Sequence, residues 1–196
     1  KPAFLCARSA ASMRWNDPVS VQEETRNLYL VGLMGAGKTT VGRALARRLG
    51  YRFLDSDHEV ERRTGVSLAT IFEIEGEDGF RKREAQLIAE LADFRRHVVA
   101  TGGGCVLRQE NRQVLRSSGT VVYLDVPLHT LHERTRHDRK RPLLQVSDPR
   151  QKLRELLAQR DPLYREVADV TISGSHITAQ AILNLLLKER GEAWKR

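Results

Sequence analysis

A chain of 196 residues with 33 Lys and Arg against 25 Asp and Glu carries a net charge of +8, which points to anionic partners. With 40% hydrophobic and 30% charged residues it has the composition of a soluble globular protein, and it is too short for two ordinary domains. No apolar run approaches the roughly 18 residues of a membrane span, and the two cysteines are too few for a disulfide framework, so a reducing, cytoplasmic location is expected.

Residues 1–27 show neither alternating nor helical apolar spacing, and the first 16 contain no acid. A disordered extension is expected there. Its Arg, Ala and Ser content leaves a plastid transit segment as the alternative. Short apolar runs then alternate with amphipathic ones in a single domain over 28–190, ahead of a tail at 191–196. Strands are predicted at 28–32, 52–54, 97–100, 120–126 and 169–173, rich in Val, Leu, Ile and Tyr with little polar alternation. Helical spacing runs through KTTVGRALARRLG, SLATIFEIEG, FRKREAQLIAELADF, ENRQVLRS, LHTLHERTR, PRQKLRELLAQR and TAQAILNLLLKER. This alternation predicts an α/β fold with a mostly parallel sheet covered on both faces.

Between the first strand and first helix lies GLMGAGKT, residues 32–39, which fits G-x-x-x-x-G-K-[ST] in the context that gives the pattern meaning. Its glycines let successive N–H groups turn into one concavity, and the following helix adds its positive end. Lys38 is placed to reach the β- and γ-phosphates, and the Thr39 hydroxyl to ligate Mg²⁺. No Asn is followed by Lys, so the guanine-reading motif of GTPases is missing. Asp125 is followed by Val126 rather than by the acid of motor ATPases. A small phosphotransferase remains.

FLDSD ends the second strand. In an extended segment Asp55 and Asp57 would face the same way, one towards a metal ion and one towards an acceptor hydroxyl. The alternative is that either acid caps the next helix. TGGG, at 101–104, follows the third strand. Three glycines there suit a close approach to the backbone, or else a tight turn. Cys105 reads as a small buried residue. The run RTRHDRKR, 134–141, has five cations in eight residues and fits a solvated helix, a nucleic-acid contact or a nucleotide clamp.

In chain order, GLMGAGKTT, FLDSD, GEDGFRKRE, TGGG, RTRHDRKRPLL and QRDPLYREVAD resemble the motifs of the shikimate kinase family, over about 28–187. The resemblance implies a five-stranded parallel sheet flanked by helices, a helical substrate-binding region at about 57–96 and a mobile lid at about 134–146. It implies transfer of the ATP γ-phosphoryl group to the 3-hydroxyl of shikimate, with Mg²⁺ as the metal and a monomer as the working unit. Gly35, Ala36, Gly37, Lys38, Thr39 and Thr40 would bind ATP, with Arg134 against adenine and Arg141 across the phosphates. Asp57, Arg81, Gly103 and Arg160 would bind shikimate, and Asp55 would reach Mg²⁺ through water. Lys38, Asp57 and Arg141 would be the catalytic residues.

Elementary chemistry agrees with those roles. A hydroxylated carboxylate needs a cationic fork at one end and hydroxyl acceptors at the other, and arginine meets carboxylate oxygens in pairs. Glu84, three residues beyond Arg81 on a predicted helix, is placed to orient it. Without the resemblance, RKRE reads equally as a surface ion pair, and Arg160 as a solvated helix end. A gluconate or nucleoside monophosphate kinase would not need the fork of Arg81, Arg160 and Asp57. A basic nucleic-acid module would bring aromatics near its charges, and none lies within 134–141.

Overall fold

A computed structural model of the chain describes residues 26–138 and 142–190. Five strands form one parallel sheet in the order β2-β3-β1-β4-β5: β1 Asn27–Val31, β2 Arg52–Asp55, β3 His97–Ala100, β4 Gly119–Asp125 and β5 Val170–Ser173. β1 is buried throughout and β4 almost so, whereas the edge strands β2 and β5 are partly exposed. Runs such as LYLV and VVYL therefore carry apolar side chains on both faces. Tyr29 and Tyr123 enter this core because their hydroxyls find partners, Ser118 Oγ at 2.8 Å and Asp161 Oδ1 at 2.8 Å. β1 begins at Asn27, inside the expected extension, and its buried amide donates to the Leu91 carbonyl.

Among the described residues seven α-helices connect and cover the strands: α1 Lys38–Leu49, α2 Ser56–Thr64, α3 Leu68–Leu91, α4 Gln109–Ser118, α5 Leu128–Thr135, α6 Pro149–Val167 and α7 Ala179–Arg190. α1 packs on α7, while α3 and α6 each pack on α4, so the sheet is covered on both faces. None of the described helices is long and apolar enough to cross a membrane.

Three boundaries differ from expectation. The two helices read as SLATIFEIEG and FRKREAQLIAELADF join into α3 across a kink at Gly76, whose φ of 69° no ordinary helical residue adopts. Glu77 and Asp78 start the second limb, where acids favour a helix N-terminus. FLDSD is not extended throughout, because α2 begins at Ser56 and Asp57 sits in its first turn. α6 runs seven residues past its expected end at Arg160, with Pro162 inside it. Buried Leu156, Tyr164 and Val167 hold the helix on either side of the missing N–H.

Candidate active site

The carboxyl ends of β1, β2 and β3 face one crevice, where open parallel sheets bind ligands. After β1 the chain curls through Gly32, Gly35 and Gly37, at φ of 141°, 82° and 90°. Gly37 is the N-cap of α1, and no side chain caps the helix, whose positive end faces the loop. Ala36 closes the turn, its N–H donating to the Leu33 carbonyl at 3.1 Å. Lys38 is buried and folds back over the loop, with Nζ 2.8 Å from the Gly32 carbonyl and 3.0 Å from that of Leu33. Thr39 and Thr40 follow in the first turn of α1, and Thr40 is exposed.

Thr39 Oγ1 donates to Asp55 Oδ2 at 2.7 Å. The other oxygen, Oδ1, accepts the N–H groups of Asp57 at 3.1 Å and His58 at 3.3 Å. Asp55 thus caps α2 with one oxygen, the alternative that FLDSD left open, and accepts from the end of the phosphate loop with the other. Asp57 does not share its strand direction; the first turn of α2 carries it towards β3 instead.

There the three glycines acquire a reason. A side chain on Gly102 would run into Asp57 Oδ1 at 2.6 Å and into Glu84 Oε1, and one on Gly104 would run into the Arg81 guanidinium. Gly103 is different. An alanine there would meet nothing closer than Met34 N at 3.4 Å, an ordinary contact, so no protein neighbour demands glycine. Its position lies between the phosphate loop and Arg160, with Gly32 O at 3.7 Å and Arg160 Nη1 at 3.8 Å from that methyl. Phosphate cradle and cationic fork therefore meet across one glycine.

Arg81 and Arg160 supply the fork, from α3 and α6. Arg81 is 7% exposed and donates to Glu84 Oε2 at 2.7 Å and to Glu77 Oε1 at 2.9 Å, which sets the plane of its guanidinium. The reading of RKRE as a surface pair is corrected, since Glu84 is fully buried. Arg160, 2% exposed, is no solvated helix end either. It makes no ion pair with a carboxylate among the described residues, although Glu77 and Glu84 lie near enough to act on its charge, and its Nε has no hydrogen-bond partner. Both arginines line a cavity of about 390 Å³ with Leu143 and Leu156. A buried cation left unpaired beside an open cavity is a standing demand for an anion.

The charges behave accordingly. Burial works against the Arg81 charge, but Glu84 and Glu77 outweigh it and hold the guanidinium above its usual range. Burial pushes the Glu84 carboxyl up to about 7 against the pull of Arg81, and Asp57 pushes it the same way. The pair is unequal because Arg81 has two carboxylates, whereas Glu84 Oε1 has no partner. Burial, with Arg81 adding to it, lowers Arg160 from the usual range.

A stability effect follows from Glu84. Its folded value lies above the ordinary 4.5, so the folded protein holds the proton more tightly than the unfolded chain. This contribution is complete below pH 4.5 and is lost as pH rises through about 7, amounting to about 3 kcal/mol. Chemical denaturation of Glu84→Gln across this range should show a smaller loss of stability with rising pH than the parent. An unchanged pH slope would rule out Glu84 as its source.

Arg134 spans the outer side of the phosphate loop, donating to the Gly35 carbonyl at 3.1 Å and the Ser175 carbonyl at 2.5 Å. Arg141 lies outside the described residues, as do Arg139 and Lys140, so the lid reading stays with the resemblance. Glu77, Tyr164 and Ser175 were not anticipated from sequence. The four-residue spacing of Glu77 and Arg81 on one helix was the available signal for the first. Tyr164 and Ser175 had none, since each meets the site through a tertiary contact.

A parallel sheet with a glycine-lined phosphate loop at β1 and a buried cationic fork beside it defines a P-loop kinase of small molecules. A model of the family described as shikimate kinase matches residues 34–190, and the shikimate kinase of Dechloromonas aromatica is 60% identical over 171 residues, 87% of this chain and 93% of its own. This chain belongs to the shikimate kinase family. Among solved structures, shikimate kinase from Acinetobacter baumannii in complex with shikimate superposes with a TM-score of 0.83 at 52% identity, covering 88% of this chain and 99% of that one. The shikimate kinase of Aquifex aeolicus gives 0.74 at 34% identity, over 84% and 99%.

Proposed function

We propose that this chain transfers the γ-phosphoryl group of ATP to the 3-hydroxyl of shikimate, giving shikimate 3-phosphate and ADP. The observation that carries this reading is Arg160, buried without a carboxylate partner beside Arg81, one glycine away from the phosphate loop. Such a fork suits the carboxylate of a small acid. Asp57, across Gly102 from Glu84, orients the acceptor hydroxyl and receives its proton. The N–H of Gly103, which meets no acceptor among the described residues, is open to the substrate.

The oxygen of that hydroxyl forms the new bond to phosphorus as the bond to the bridging oxygen of ADP breaks. Such transition states are loose, so catalysis rests on positioning and on spreading charge over fixed cations. Lys38 and the N–H groups of the loop and of α1 serve the phosphates, with Arg134 against the nucleotide and Arg141 closing over it. Thr39 and Asp55 are oxygen donors side by side. That suits Mg²⁺, which keeps waters and takes few protein ligands beside phosphates. When bound there, it neutralises phosphate charge.

An ADP-release assay with Mg-ATP against shikimate, quinate, gluconate and nucleoside monophosphates tests the reading. Turnover is expected with shikimate, and gluconate and the monophosphates should give next to none. No turnover with shikimate would overturn the assignment.

A further inference from the structure

We infer that Glu77 is an internal stand-in for the acceptor carboxylate, a specificity residue that holds one edge of Arg81 in the empty protein and yields it to an incoming acid. The role rests on the proposed function, in which Arg81 grips the carboxylate of the acceptor.

The donors of Arg81 are divided between two carboxylates. Nη1 donates to Glu84 Oε2 at 2.7 Å. Nε and Nη2 form an edge of the guanidinium that can grip a carboxylate with two parallel bonds. Both donate instead to a single oxygen, Glu77 Oε1, at 3.2 and 2.9 Å. The other edge, Nη1 with Nη2, has one nitrogen already engaged by Glu84. Glu77 therefore occupies the edge that an acid needs, and it does so with one oxygen where a ligand presents two.

The two carboxylates differ in whether they can let go. The Glu84 side chain is 1% exposed, so releasing Arg81 would strand a buried charge. The Glu77 side chain is 42% exposed and lines the cavity onto which Arg81 and Arg160 open. It lies directly after the kink at Gly76, in the first turn of the second limb of α3, where a helix N-terminus favours a free carboxylate. Glu75, on the other side of the kink, is taken by Arg83 through two bonds of 2.9 and 2.7 Å. The kink thus sends one acid to a surface pair and the next to the fork.

The sign of one substitution separates exchange from support. If Glu77 only steadied Arg81, its loss would weaken acceptor binding; as a competitor, its loss strengthens it. Glu77→Gln keeps the size and removes the competing charge. Calorimetry without nucleotide should show shikimate binding tightened roughly 5-fold, the equivalent of one half-exposed ion pair that no longer has to be broken. Asp78→Asn removes the same charge from a residue that lines the cavity without bonding to Arg81. It should change shikimate binding by less than about two-fold, because solvent screens a charge at the cavity mouth. Methyl shikimate, which has no carboxylate to exchange, should gain nothing from Glu77→Gln.

Unchanged or weaker shikimate binding in Glu77→Gln would overturn the inference and leave Glu77 as a support for Arg81. An equal gain from Asp78→Asn, or for methyl shikimate, would also overturn it, because no exchange of carboxylates would then be involved. A parent protein that fails to bind shikimate would instead remove the proposed function and, with it, this role.

Discussion

Arg160→Met should raise the KM for shikimate by roughly 30- to 4000-fold without lowering the melting temperature. The first half follows from the cost of truncating one partner of a desolvated charge pair, about 2–5 kcal/mol. The second half is the unusual one. Arg160 is 2% exposed, has no ion-paired carboxylate among the described residues, and leaves its Nε unsatisfied. The empty protein therefore holds a cation it would be better without, and methionine fills the stem volume with no charge to desolvate. Arg81→Met makes the contrast. It strands Glu84, so the acceptor KM should rise while stability falls by about 3–5 kcal/mol. Steady-state kinetics with thermal denaturation on the two variants reads both effects. A clear fall in the melting temperature of Arg160→Met would show that this charge is compensated and would weaken the case for an anion site.

Lys38→Ala should reduce turnover by roughly 10³-fold or more, the order associated with removing a cation that stabilises phosphoryl-transfer charge. Its Nζ sits 2.8 Å from Gly32 O and 3.0 Å from Leu33 O, so the ammonium is stored on the carbonyls of the loop it serves. Alanine leaves the glycine backbone and the start of α1 in place, and with them part of the nucleotide affinity. Single-turnover rates beside an independent measurement of ATP affinity separate the two contributions. Activity within ten-fold of the parent would remove Lys38 from the chemistry.

The phosphate loop was legible because its function is local, written in eight consecutive residues and the turn they force. The strands were legible for a related reason, since burial on both faces leaves an apolar run that needs no knowledge of neighbours. Asp55 and Asp57 were harder. Strand geometry implied parallel side chains, but α2 starts between them and turns Asp57 away. The TGGG triplet announced a close approach without saying of what. Asp57, Glu84 and Arg81 come to those glycines from α2 and α3. Arg160 at an apparent helix end resembled a solvated charge because Pro162 reads as a stop. Packing around Tyr164 and Val167 carries α6 through the proline, so the arginine becomes a mid-helix residue facing inward. In each case the missing information was a contact distant in sequence.

Asp55 has a mechanical consequence. One of its oxygens takes the hydroxyl of Thr39, at the end of the phosphate loop, and the other anchors the turn that carries Asp57. The carboxylate is therefore a strut between the two halves of the site, about one side chain long. A ligand that pulls on Oδ2 shifts the anchor of α2, and a ligand that draws on Asp57 loads the same strut from the far side. Energy transmitted through a shared support is reciprocal by necessity. Whatever preference the loaded nucleotide site imposes on the acceptor, the acceptor must return to the nucleotide in equal measure.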